Sequence, residues 1–131
     1  MSESLPVLIV EDEELLLGFL KTALERGGFK IVGAGSAAEA LELLEHGEFA
    51  VVVSDLCMPG GMGGAEIFDW VRENRPELAS SFLFITGNVS DEYAVQTRQR
   101  TGALFIQKPF RIALLIELIK KIMACNEHLH V

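Results

Sequence analysis

Short apolar runs rich in β-branched residues recur along the chain and predict five β-strands. They lie at residues 5–10, 30–34, 50–54, 82–85 and 103–107. Between these runs, apolar residues recur every three or four positions, which is the spacing of an amphipathic helix. Residues 49–53 (FAVVV) are apolar throughout. Such a run is typical of a central strand that is buried on both faces.

A segment with helical spacing follows each predicted strand, and the first two segments have clear ends. The first carries an apolar stripe that stops at Gly27 and Gly28, because glycine ends helices readily. The members of the stripe are Leu15, Leu16, Phe19, Leu20, Ala23 and Leu24. Ser36, with Glu39 three residues later, fits a capping box that opens the second helix.

The other three predicted helices differ in polarity. The third runs from about residue 64 to 74 and stops before Pro76. The fourth is capped by Asp91, ends at Gly102 and is polar nearly all round, so we expect it to be weakly packed and easily shifted. The fifth has one apolar face, made of Ile112, Leu115, Ile116, Ile119, Ile122 and Met123. Five strands, each followed by a helix, predict an α/β fold with a parallel sheet and helices on both sides.

Composition and charge exclude several classes of protein. The 131 residues suffice for one domain with one core, and half of them are apolar. The net charge is −8 and no Lys/Arg cluster is evident, so we expect no direct binding to nucleic acid. No run of about 18 apolar residues could cross a bilayer, so we expect no insertion into a membrane. Cys57 and Cys125 lack zinc-site spacing and suit a reducing compartment, which predicts a cytoplasmic protein.

Polar residues with chemical potential stand at the ends of the predicted strands. The first strand ends in Glu11 and Asp12, the third in Asp55, the fourth in Thr86 and the fifth in Lys108. Each alone has an ordinary explanation, such as an acidic helix start, a turn or a surface lysine. Because parallel strands end at one edge of a sheet, all of these side chains should converge there.

This combination favours phosphoryl chemistry with a bound cation. Clustered carboxylates repel each other, and oxygen ligands in a solvent-facing cleft suit Mg²⁺. Asp55 is the best nucleophile because it lies centrally and carboxylates can form aspartyl-phosphates. The metal ion and Lys108 would neutralise charge on the transferring group, and Thr86 could donate a hydrogen bond to it.

Four segments in chain order resemble the receiver domains of response regulators in bacterial two-component systems. They are residues 8–13 (LIVEDE), 54–59 (SDLCMP), 84–87 (FITG) and 108–110 (KPF). The resemblance extends from Val7 to about Met123. It implies a flavodoxin-like doubly wound (βα)5 sandwich with parallel strands in the order 2-1-3-4-5. We therefore expect a single receiver domain over residues 1–131, with its core at about 5–124.

The resemblance also implies a role for each matching residue. Asp12, Asp55 and the backbone carbonyl of Cys57 match the direct Mg²⁺ ligands, and Glu11 matches a residue that acts through water. Asp55 matches the phosphoacceptor. Lys108 matches the cation that contacts the phosphoryl group.

Two further residues match a conformational switch. The hydroxyl of Thr86 is expected to move toward the phosphoryl group, and the ring of Phe105 to turn inward behind it. The family also has a cis peptide bond before the matching proline, so we expect Lys108-Pro109 to be cis.

Some positions depart from the family's usual pattern. Glu11 stands where aspartate is commoner, and Phe105 where tyrosine is commoner. Residues 59–64 form a loop that is one residue longer and richer in glycine than the common form, so we expect it to be unusually mobile. Such loops occur in receivers attached to hybrid sensor kinases.

We therefore expect a phosphoacceptor domain of a phosphorelay, not an enzyme with its own substrate, although it would assist its own phosphorylation and dephosphorylation. Its partner would be a histidine kinase, in cis or in trans, or a phosphotransfer protein. The chain would be a stand-alone regulator or a piece of a longer protein. The sequence also leaves room for a homodimer formed through the fourth and fifth helices.

Three alternatives compete with this interpretation. An aspartate-dependent phosphohydrolase of the haloacid dehalogenase type has a second acid where Cys57 stands here. An FMN carrier needs a phosphate-binding loop after the first strand, where the acids at residues 11–14 would repel phosphate. A pseudo-receiver that acts only as a binding module would be expected to have lost Asp55 or Lys108.

Overall fold

The computed structural model describes residues 5–129, and it contains each predicted strand and helix. The strands are β1 (Val7–Val10), β2 (Ile31–Ala34), β3 (Val51–Asp55), β4 (Phe82–Thr86) and β5 (Leu104–Gln107). The helices are α1 (Glu14–Arg26), α2 (Ala37–His46), α3 (Gly64–Asn74), α4 (Glu92–Thr101) and α5 (Ile112–Leu129), and a 3₁₀ turn (Pro76–Leu78) precedes β4. The ends of the predicted domain, residues 1–4 and 130–131, lie outside the described residues.

The strands form one parallel sheet in the order β2-β1-β3-β4-β5. This confirms the predicted doubly wound arrangement. The central strand β3 is buried along its whole length, as its apolar run indicated. Val10 pairs with Ser54, and Asp55 pairs with Ile85. The carboxyl ends of β1, β3 and β4 are therefore held at one edge of the sheet.

Side chains along each strand alternate between the two faces of the sheet, so each face has its own apolar layer. One layer packs beneath α2 and α3 and includes Leu8, Val10, Val52, Phe82 and Phe84. The other packs beneath α1 and α5 and includes Val7, Ile9, Val51, Val53, Leu83 and Ile85. Burial of such a side chain contributes roughly 1.5–3 kcal/mol, so the two layers together hold the edge of the sheet in place.

The buried face of α1 differs from the predicted stripe. Leu20 and Leu24 are fully buried, but Leu15 is 91% exposed and Phe19 is 58% exposed. Leu17, which the stripe omitted, packs against Gly33 of β2. At about 100° per residue, positions 15 and 19 lie opposite position 17, so the predicted stripe was too wide to be one face.

The helix ends follow the predicted signals in most details. The hydroxyl of Ser36 accepts a hydrogen bond from the Glu39 N–H (3.1 Å). The Glu39 carboxylate accepts from the Gly35 N–H (2.8 Å), one residue before the position that a capping box would use. Asp91 caps α4 by accepting from the Tyr93 N–H.

The predicted weak packing of α4 agrees with its burial. Ala94 and Thr97 are the residues of α4 that are buried, and the rest of the helix is partly or fully exposed. Gly102 ends the helix in the left-handed region (φ 70°). Within the described residues, no helix is both long and apolar enough to cross a membrane.

Candidate functional site

Three carboxylates meet at the carboxyl edge of the sheet. Glu11 follows β1, Asp12 comes next in the chain, and Asp55 is the last residue of β3. One carboxylate oxygen of each lies within 4.8 Å of those of the other two. Glu11 and Asp55 are buried, whereas Asp12 is exposed. The cluster therefore extends from the interior of the fold to its surface.

Lys108 brings a positive charge to this cluster. Its Nζ atom lies 3.4 Å from Oδ1 of Asp55 and 3.6 Å from Oε1 of Glu11. The Lys108 N–H donates to the backbone carbonyl of Thr86 (2.9 Å), which fixes the start of the loop after β5. The Lys108-Pro109 peptide bond is cis, as predicted. The lysine thus bridges the two buried carboxylates from the far side of β4.

The surroundings of Asp55 favour the protonated form of its carboxyl group more than water does. Burial raises the pKa of Asp55 to about 7, and the neighbouring Glu11 carboxylate acts in the same direction, while Lys108 opposes the change. Burial alone would lower the pKa of Lys108, but the charges of Asp55 and Glu11 outweigh it and raise that pKa. The one ammonium group therefore only partly compensates the two buried acids.

Two buried oxygens of the cluster are left without a hydrogen bond. Oε1 of Glu11 and Oδ1 of Asp55 accept none from any described residue. The Lys108 ammonium is near both, but at distances longer than a normal hydrogen bond. A buried carboxylate oxygen without a hydrogen bond is costly, and a hard divalent cation prefers carboxylate oxygens as ligands. The residues present therefore fit a metal ion such as Mg²⁺.

Thr86 and Phe105, the predicted switch pair, stand apart from the carboxylates. The Thr86 hydroxyl accepts a hydrogen bond from the Asn88 N–H (3.3 Å) within its own loop. Among the described residues, no hydrogen bond joins this hydroxyl to the acidic cluster. Phe105 is partly buried on β5, and its ring centroid lies 5.2 Å from that of Phe84. The structure thus brings Glu11, Asp12, Asp55 and Lys108 together and leaves the other two residues beside them.

Cys57 follows Asp55 by two residues and is exposed. Partial desolvation of its thiol group, together with the acidic side chains of Asp91 and Glu66, raises the pKa of the thiol. The side chain is therefore a poor nucleophile at neutral pH, because the thiolate is the reactive form.

The glycine-rich loop contains a packing requirement that the sequence reading missed. A Cβ atom at Gly64 would lie 2.6 Å from the backbone oxygen of Asp55 and 3.0 Å from the ring of Phe84. A Cβ atom at Gly63 would overlap the carbonyl oxygen of Leu56. The first turn of α3 is therefore pressed against the segment that carries Asp55. Two consecutive glycines at a predicted helix start were the available signal for this close approach.

A cleft of about 430 Å³ lies next to Lys108, between α1 and the loop after β5. Its other lining residues are Leu16, Phe19, Leu20, Pro109, Phe110 and Ile112. The exposed Phe19 thus lines an apolar hollow beside the acidic edge rather than contributing to the core.

Comparisons with known proteins agree with this arrangement. The family model described as the response regulator receiver domain matches residues 7–120. The sensor kinase CckA of Brucella abortus is 33% identical over 125 residues, which are 94% of this chain and 13% of that protein. The response regulator protein FleR of Pseudomonas aeruginosa is 33% identical over 115 residues, which are 88% of this chain and 24% of that protein. The chain thus spans a quarter or less of these relatives.

A solved structure shares nearly the whole fold. It is a CheY-like response regulator receiver domain protein from Methanospirillum hungatei JF-1, with a TM-score of 0.86 and 27% sequence identity. The match covers 96% of this chain and 98% of that one. With the parallel sheet, the acidic edge and the family match taken together, the chain belongs to the response regulator receiver domain family of two-component signalling.

Proposed function

We propose that this receiver domain accepts a phosphoryl group on Asp55 with Mg²⁺ bound, and that the donor is a histidine kinase or a phosphotransfer protein. The observation that carries the proposal is the contact of Asp55 with Lys108, beside two buried carboxylate oxygens that lack hydrogen bonds. Asp55 can act as the nucleophile, and Lys108 is a cation that can stabilise a phosphoryl group. The two oxygens without hydrogen bonds can bind a metal ion at the same edge. Each of these is a requirement of phosphoryl transfer to a carboxylate.

Four residues would hold the metal ion. Asp12, Asp55 and the backbone carbonyl of Cys57 would bind it directly, and Glu11 would act through a water molecule. When bound, Mg²⁺ neutralises negative charge on the phosphoryl oxygens and orients the group for in-line transfer. Asp12 is exposed and Glu11 is buried, so these residues would hold the ion where the cluster meets the solvent.

In the transfer itself, a carboxylate oxygen of Asp55 attacks phosphorus as the bond from phosphorus to the donor's imidazole nitrogen breaks. The imidazole leaves with the electron pair of that bond, and an acyl phosphate forms on Asp55. Asp55 must be ionised to attack, so the Lys108 ammonium, which favours the charged form, also favours the reaction. The same ammonium then contacts a phosphoryl oxygen. Attack by water on this acyl phosphate returns the free carboxylate and inorganic phosphate.

The signal would pass through Thr86 and Phe105. The Thr86 hydroxyl would leave its contact with the Asn88 N–H and donate to a phosphoryl oxygen. The ring of Phe105 would then turn further inward, and the loosely packed α4 would follow.

In this proposal the domain is a regulatory element in the cytoplasm and not an enzyme that turns over a substrate of its own. A homodimer through α4 and α5 is one way in which the change could be read.

Incorporation of phosphate from acetyl phosphate tests the proposal. Intact mass would be measured with and without Mg²⁺ for the wild type and for Asp55→Asn, with Glu42→Gln on α2 as the control for loss of an exposed acid elsewhere. A single Mg²⁺-dependent phosphoryl group that is absent in Asp55→Asn and present in Glu42→Gln is the expected result. No adduct from acetyl phosphate or from phosphorylated histidine kinases would overturn the proposal in favour of a pseudo-receiver.

A further inference from the structure

Two arginines near the end of α4 tie this loosely packed helix to its neighbours. The guanidinium carbon of Arg98 lies 5.8 Å from the ring centroid of Phe105 on β5. A nitrogen of Arg100 lies 2.6 Å from Oδ1 of Asp69 on α3. Because α4 buries little of its own surface, contacts of this kind have a large share in setting its position.

The Phe105 ring beneath Arg98 is the last member of a row of closely packed residues that begins at Asp55. The members of the row, in order, are Asp55, Gly64, Phe84 and Phe105. Gly64 lies between the backbone oxygen of Asp55 and the ring of Phe84, with no room for a Cβ atom. The Phe84 ring is fully buried and lies 5.2 Å from that of Phe105. A displacement of the Asp55 backbone or of Phe105 therefore requires the other residues of the row to shift, because closely packed interiors transmit strain.

From this geometry we infer that Arg98 is a positioning residue that acts, through Phe105, on the conformational change that follows phosphorylation. It holds the Phe105 ring from α4, while Arg100 anchors the same helix to Asp69, and both contacts stabilise the arrangement in which Thr86 faces its own loop. The inference rests on the proposed function, since it concerns the change that follows phosphorylation of Asp55. Contacts that favour one of two arrangements lower the affinity for any ligand that requires the other.

The expected effect of removing Arg98 is therefore a gain in affinity and not a loss. A partly exposed cation–π contact is weak, so Arg98→Ala should bind a phosphoryl mimic about two- to fivefold more tightly. Arg98→Lys keeps a cation over the ring and should lie close to the wild type. Phe105→Leu removes the ring, so adding Arg98→Ala to that variant should have no further effect.

The experiment is a titration of each variant with beryllium fluoride in the presence of Mg²⁺, followed by calorimetry. Arg72→Ala is the matched control, because Arg72 makes the same kind of contact, 5.8 Å from the ring of Phe68, but both of these residues belong to α3. It also shares Asp69 with Arg100, and its removal leaves that ion pair in place. Its affinity should match that of the wild type.

Amide hydrogen exchange of α4 gives a second readout that does not depend on phosphoryl chemistry. Exchange at residues 92–101 should be faster in Arg98→Ala than in the wild type and unchanged in Arg72→Ala. Equal affinity and equal exchange in Arg98→Ala and the wild type would overturn the inference, as would an identical Arg98→Ala effect in the Phe105→Leu background. If the wild type binds no beryllium fluoride, the proposed function fails, and the exchange of α4 alone decides the role of Arg98.

Discussion

Oδ1 of Asp55 lies 3.4 Å from Nζ of Lys108, while Oε1 of Glu11 lies 3.6 Å from the same nitrogen. One ammonium group therefore serves two buried carboxylates. At these distances the ammonium group offsets only part of the cost of a buried negative charge on Asp55. The raised pKa of Asp55 is consistent with this. The pH dependence of the domain's stability should follow from this imbalance.

The first prediction concerns stability and pH. Without a bound cation the pKa of Asp55 in the folded chain is about 7, whereas a carboxyl group in an unfolded chain titrates near 4. Between these values the folded state holds a proton that the unfolded state has released, so the stability from this group is lost as pH rises from about 4 to 7. Asp55→Asn should therefore be more stable than the wild type at pH 8, by about 1–3 kcal/mol, and similar to it near pH 4.

Urea unfolding in EDTA, at pH 4.5 and at pH 8, measures this difference. Glu42→Gln, at an exposed carboxylate on α2, is the control and should behave like the wild type at both values. A stability difference between Asp55→Asn and the wild type that is the same at both pH values would contradict the prediction.

The second prediction concerns the lysine. Lys108→Met keeps most of the length of the side chain but removes the charge that is proposed to stabilise the phosphoryl group, so the rate of phosphorylation by acetyl phosphate should fall by about a hundredfold. Lys120→Met, at an exposed lysine on α5, should leave the rate unchanged. Initial rates would be measured by intact mass at saturating Mg²⁺. A Lys108→Met rate within about twofold of the wild type would rule out this role for the ammonium.

The third prediction concerns Gly64. A methyl group there would meet the Asp55 carbonyl and the Phe84 ring, so Gly64→Ala should destabilise the fold by about 1–3 kcal/mol and weaken Mg²⁺ binding. In Gly18→Ala, a new methyl group in α1 would meet nothing within 4 Å. That variant should instead gain about 0.5–1 kcal/mol, because alanine is the better helix former. Chemical unfolding and Mg²⁺ titration check both, and equal effects of the two substitutions would refute the packing requirement.

The fourth prediction concerns the two faces of α1. Leu20 is fully buried, so Leu20→Ala should cost about 2–5 kcal/mol of unfolding free energy. The neighbouring Phe19 is 58% exposed, and Phe19→Ala should change stability by less than about 1 kcal/mol. Urea unfolding of both variants measures the contrast. A larger loss of unfolding free energy in Phe19→Ala than in Leu20→Ala would contradict the observed burial and show that Phe19 belongs to the core face of α1.

Local patterns were enough to predict the sheet and its acidic edge. The fully apolar run before Asp55 identified a central strand, and in a parallel sheet the residues after such strands meet whatever the details of packing. The face of α1 was harder, because Leu15 and Phe19 have helical spacing of their own although they point away from the core. Apolar spacing alone does not distinguish a core face from a surface cleft.

Contacts between residues that are distant in the chain could not be predicted from local sequence patterns. The position of the Arg98 guanidinium over Phe105 depends on how α4 sits against β5, which no local pattern specifies. The close approach of Gly64 to Asp55 likewise follows from the path of the loop between them. The glycine content of residues 59–64 suggested a mobile loop. The structure explains Gly64 differently, because a larger side chain has no room beside the Asp55 backbone oxygen.

The strands that build the acidic edge are far apart in the chain, and this has a consequence for synthesis. Glu11 and Asp12 are synthesised first, Asp55 follows more than forty residues later, and Lys108 is the last of the four. A partly made chain therefore holds the acids without the cation that draws them together, and its central strand lacks the neighbour β4 on one side. The edge is completed only when β5 and its lysine have been made, so a product that stops before Lys108 lacks the cation of the site.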